Sequence, residues 1–151
     1  MSVTEDRGPK AAARATVTTH RAGVVWHGDR DDLRAHTVTA GGQIVSGSCS
    51  PEWGGDPAKA DPEALFVAAL SACHMLWFLD LARRDRLRVE GYEDDAQGTM
   101  DGTRFMGVTL HPRVSFQGEV AAETVADLHA RSHARCFIAN SVSCPVEVAT
   151  P

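Results

Sequence analysis

The stretch DPEALFVAALSACHMLWFL, residues 61–79, limits what this chain can fold into more than any other. Asp61 is a good N-cap, Pro62 suits the first helical position, and Glu63 complements the positive end of the helix dipole. The pattern predicts a helix running to about Arg84, where the charged run ARRDR solvates and neutralises the C-terminal end. Nearly every position from Leu65 to Leu79 is apolar, so the helix is expected to be buried all round. That requires sheet on one side and another helix, or a second chain, on the other. Ser71, His74 and Asp80 interrupt the apolar run, which fits a core helix better than a membrane span.

Three extended segments are expected before this helix. Residues 14–26 and 34–39 alternate β-branched and polar side chains, with the polar turn HGDRDD at 27–32 between them. Gly41-Gly42 then turns the chain into a third strand, residues 43–47, and SCSPEWGGDPAKA reads as loop. After the helix, residues 87–100 and 106–116 read as two long strands around a turn at Asp101-Gly102, with Pro112 marking a bulge or an edge. Residues 119–136 read as a second helix and 142–148 as a closing strand. The order βββ-α-ββ-α-β gives an α+β fold, the apolar helix packed on mostly antiparallel sheet.

One domain suits 151 residues, and the expected division is a flexible arm at 1–13 followed by a single domain at 14–151. The arm is polar and lacks the apolar centre of a signal peptide, so the expected location is cytoplasmic and the thiols reduced. A net charge of −5 argues against nucleic acid or an anionic membrane as partner.

The chemistry must come from a short inventory. Cys49, Cys73, Cys136 and Cys144 show no C-x-x-C spacing, which leaves a zinc ribbon or a thioredoxin-type motif unsupported. The greasy surroundings of Cys73 oppose a thiolate, so a nucleophile there needs a cation brought close. His74 is a poor candidate, because adjacent helical side chains diverge by about 100°. His129 and His133, at i and i+4, can in principle share a metal, but no third ligand is evident. A G-x-S-x-G elbow and a phosphate-binding loop are both absent. A hot-dog-like thioesterase would need Glu63 or Asp61 as its acid, and both are more simply helix-starting residues.

DPEALFVAALSACHMLWFL, VEGYEDDAQGTM, VTLHPRV and LHARSHARCFIANSV together resemble the OsmC/Ohr family of osmotically induced and organic-hydroperoxide-resistance proteins. The likeness runs from about residue 26 to residue 148 and is greatest for the OsmC-like branch, through ACHMLW and CFIANS. Two departures stand out. Phe137-Ile138-Ala139-Asn140 follows Cys136 where the Ohr branch carries proline, and Asp61 stands where asparagine is usual.

The resemblance implies an intertwined α+β homodimer that acts as a thiol peroxidase on organic hydroperoxides, with no cofactor and no metal. It implies Cys73 as the peroxidatic thiol and Cys136 as the resolving one. Arg34 is the best match for the thiolate-stabilising arginine, with Arg21 the alternative, and Glu63 would orient that arginine. A dithiol of lipoyl type is the expected reductant. Glu63 lies ten residues from Cys73, about 15 Å along a straight helix, so a shared site implies that Glu63 comes from the partner chain. The other reading is a dimer that binds a hydrophobic or thiol-reactive small molecule without turnover.

Overall fold

The structure, a computed structural model, describes residues 16–149. The expected arm at 1–13 and the first two residues of the expected opening strand lie outside the described residues.

Strands β1 (Ala22–Val25), β2 (His36–Ala40) and β3 (Gln43–Gly47) form an antiparallel sheet in that order. The β2–β3 turn is tight, with Ala40 paired to Gln43 and Gly41 at φ 56°, a left-handed conformation that favours glycine. The second strand starts later than residue 34 because Asp32 turns the chain first. Its carboxylate accepts the amides of Arg34 and Ala35, each at 3.0 Å.

Helix α1 (Pro62–Arg84) begins and ends as its sequence predicts. Asp61 caps it, its Oδ1 accepting from the Ala64 amide at 2.8 Å. The following hairpin differs from expectation. In place of two long strands there are four: β4 (Val89–Asp94), β5 (Gln97–Asp101), β6 (Arg104–Leu110) and β7 (Pro112–Phe116).

Asp94 and Pro112 break the hairpin at the same level. Pro112 has no N–H for a ladder. Asp94 draws the neighbouring His111 amide onto its side chain at 2.7 Å and accepts the Ser71 hydroxyl of α1 with its other oxygen. The result is two antiparallel pairs, β4–β7 and β5–β6, set end to end along the helix. Helix α2 (Ala122–Arg135) follows, and β8 (Val146–Val148) adds to β6 in parallel, the exception among otherwise antiparallel strand pairings. The observed order is therefore βββ-α-ββββ-α-β, still α+β and mostly antiparallel.

The core divides as the hairpin does. Phe78, Leu81 and Ala82 of α1 meet Leu128 of α2 over β4 and β7. Nearer its start, α1 sets Leu70 against Val108 and Leu110 of β6. No residue of β1–β3 joins either cluster, and Val24, Val25 and Ile44 stand exposed. The expectation of a helix buried all round fails within one protomer. Only the face bearing Leu70, His74, Phe78 and Leu81 is fully covered, while Leu76 is 63% exposed. Among the described residues α1 is the one helix long and apolar enough to cross a membrane. Its buried face makes polar bonds to β4 and α2, as a core helix does.

Candidate active site

Helix α1 delivers Cys73 and the end of α2 delivers Cys136. The two thiols are neighbours: Cys73 lies near enough to Cys136 to act on it. All four cysteines are in the free-thiol state. Their surroundings are unequal. Cys73 is half-buried and opens into a depression of about 260 Å³ shared with Leu76, Trp77, Asp80 and Phe137. Cys136 is buried, only 1% exposed.

Burial pushes the Cys136 thiol above its ordinary value, and the neighbouring Cys73 acts in the same direction. Backbone amides of Ala139 and Ile138 partly oppose the rise, and the Ala139 N–H donates to Cys136 Sγ at 3.4 Å. That contact comes from the one-turn 3-10 helix Ala139–Ser141, which follows α2 directly.

The mouth of the depression is aromatic and framed by charge. Trp77 and Phe137 meet edge to face at 5.3 Å, and the Arg135 guanidinium lies 5.9 Å from the Trp77 ring centre. Asp80 is tied to Arg83 at 2.9 Å and Arg84 at 2.7 Å. The Arg83 hydrogen bond is the main cause holding the Asp80 carboxyl below its usual range.

One protomer does not bring the remaining expected residues to Cys73. Arg34 precedes β2, where its Nε donates to the Trp53 carbonyl at 3.1 Å. Its guanidinium lies beside Gly54, whose φ of 81° and missing side chain make room for it. Cys49 donates to the same carbonyl at 3.6 Å. Arg21 is exposed just before β1. Glu63 opens into a different and larger groove, about 1180 Å³, lined also by Trp53, Tyr92 and Asp94. Among the described residues Glu63 Oε2 and the Tyr92 hydroxyl are buried without a hydrogen-bond partner.

Sequence reasoning missed a buried histidine pair. His74 Nε2 and His129 Nδ1 lie 3.0 Å apart, and their rings are nearly coplanar at 8°. The available signal was His74 itself, since an imidazole on the Leu70–Phe78 face of a core helix needs a polar partner. His129, which sequence spacing sets one turn from His133, is instead bonded to His74. Among the described residues no three His, Cys, Asp or Glu side chains are placed to hold an ion.

Fold and site together define a small α+β protein with two neighbouring thiols at the junction of its two helices. The chain belongs to the OsmC-like protein family, whose profile matches residues 54–150. It is similar to an OsmC-like protein of unknown function from Vibrio cholerae, at 35% identity over 88% of this chain and 99% of that one, with a TM-score of 0.81. The fold is shared with an organic hydroperoxide resistance protein OsmC from Legionella pneumophila (22% identity, 90% and 100% covered, TM-score 0.65). It is also shared with an organic hydroperoxide resistance protein from Elizabethkingia anophelis (20% identity, 90% and 99% covered, TM-score 0.69). No curated protein matches the chain.

Proposed function

We propose that this protein is a cysteine-based peroxidase for organic hydroperoxides. The observation that carries the reading is the nearness of a partly exposed thiol, Cys73, to a buried one, Cys136. That order of exposure suits the chemistry. The outer sulfur meets the oxidant, and the inner one waits out of its reach. The names of the Legionella and Elizabethkingia proteins support the same reading.

In the first step the Cys73 thiolate attacks the outer oxygen of ROOH. The O–O bond breaks, RO⁻ takes up a proton and leaves as alcohol, and Cys73 becomes a sulfenic acid. In the second step Cys136 attacks that sulfur. An S–S bond forms, and the displaced hydroxide leaves as water with the Cys136 proton. A dithiol of lipoyl type then restores both thiols by exchange, becoming a cyclic disulfide itself. The apolar rim of Leu76, Trp77 and Phe137 suits an alkyl or aryl tail.

The cation that favours the Cys73 thiolate comes, in this proposal, from a second copy of the chain. The bare face of α1 supports such a partner, since only 22% of its most apolar stretch is buried in one protomer. Arg34 is the candidate: it is held on Trp53, which lines the same groove as the unpartnered Glu63 oxygen, so one chain can present Arg34 and Glu63 together to Cys73 of the other.

The test is consumption of cumene hydroperoxide with dihydrolipoamide as reductant. Cys73→Ser is expected to abolish turnover, and Cys136→Ser to leave a sulfenic acid on Cys73 that dimedone traps. Equal turnover by wild type and Cys73→Ser would defeat the reading, and no turnover by wild type would leave the small-molecule binding role in its place.

A further inference from the structure

The histidine pair joins the two helices that carry the thiols and takes no part in the chemistry above. His74 follows Cys73 in α1. His129 lies two turns before Cys136 in α2, on the face that also carries Leu128 and Ser132. Both imidazoles are buried, His74 at 1% and His129 at 3% exposure. Their bond is the one buried side-chain hydrogen bond between the two helices among the described residues. The other polar link, Arg131 to Asp85, sits half-exposed at the far end of α1.

The bond fixes both tautomers. If His129 Nδ1 donated, His74 would carry its proton on Nδ1, which is buried without a partner. A buried N–H without an acceptor costs more than a bare lone pair. His74 therefore donates through Nε2–H, and His129 accepts through Nδ1. Apolar packing alone tolerates sliding and rotation of one helix on another, whereas an in-plane N–H···N bond has a single register.

We propose that the His74–His129 bond is a positioning device that locks the register of α1 and α2 and so holds Cys136 against Cys73. The inference rests on the paired-thiol reading of the site, though not on peroxide being the oxidant. The groups around the pair fit this role. His133 of α2 and Asp94 of β4 are near enough to act on His74 in opposite directions, and Phe78 packs on the His129 ring at 4.4 Å. Desolvation keeps His74 neutral, lowering it to about 4, and lowers His129 as well. The lock is thus closed at neutral pH.

The experiment measures how strongly the two thiols favour each other. Reduced protein is equilibrated with oxidised glutathione, so that two protein thiols and one glutathione disulfide become one protein disulfide and two glutathione thiols. His74→Leu and His129→Leu, which keep the packing but delete the bond, are expected to lower this equilibrium constant by about tenfold or more. His129→Asn keeps an acceptor where Nδ1 lies, and His74→Gln keeps an N–H where Nε2 lies. Both are expected within about threefold of wild type.

Should the leucine variants fail to fold, His129→Asn against His129→Gln decides, because the longer side chain moves the acceptor out of line. Equal constants across wild type, leucine and amide variants would overturn the inference. A wild-type disulfide that forms with glutathione but not with hydroperoxide would remove the peroxidase reading and leave the positioning role standing.

Discussion

At the scale of single residues, side chains that answer to their neighbours in sequence are the readable ones. Asp61 caps, Pro62 opens and Arg84 closes α1 because capping depends only on residues a turn away. Asp61→Ala is expected to lower stability by about 1 kcal/mol, measured by urea denaturation, with the Cys73–Cys136 contact kept. His74 and Arg34 were harder. The acceptor for His74 lies 55 residues away, and the carbonyl that holds Arg34 lies 19 away. Neither distance leaves a periodic trace. Cys73 and Cys136 became a pair in the sequence only through family likeness, since nothing local ties position 73 to position 136.

At the scale of elements, the bent hairpin is the main departure from expectation. Residues 87–100 and 106–116 read as two strands around the turn at Asp101-Gly102, with Pro112 the one interruption marked. The break comes from the Asp94 side chain, which takes the His111 amide and the Ser71 hydroxyl. Asp94→Ala leaves both donors without that acceptor and is expected to cost about 1–3 kcal/mol. Faster amide exchange at His111 would report the loosened corner.

The α1–α2 packing makes a second prediction at this scale. His74 and His129 are lower in the fold than the ordinary value of 6.5, so the unfolded chain binds more protons between the two values. Stability is then full above pH 6.5 and falls with acidification toward about 4. The His74 share is of order 3 kcal/mol. Urea midpoints across that range are expected to flatten in His74→Gln.

At the scale of the whole molecule, one protomer is an unfinished surface. Leu76 and Phe137 are 63% and 65% exposed beside the thiol site. Leu76 is mostly exposed within its own chain, so Leu76→Glu should leave monomer folding intact. In the proposed assembly it would set a charge against the partner helix. Sedimentation at micromolar concentration is expected to show a dimer for wild type and a shift to monomer for Leu76→Glu, with peroxide turnover falling in step. A wild-type monomer would argue against the shared site.

The sheet β1–β3 carries a consequence for how such a molecule comes together. It hangs from the body by the Ser46–Ala60 and Ser48–Ala60 backbone bonds and the reach of Arg34 to Trp53, with Val24, Val25 and Ile44 facing solvent. A ribbon with nothing of its own chain to rest on gains little by ordering alone. Its ordering would then wait on a collision between two molecules, and would quicken with protein concentration while the two-helix core forms at its own pace.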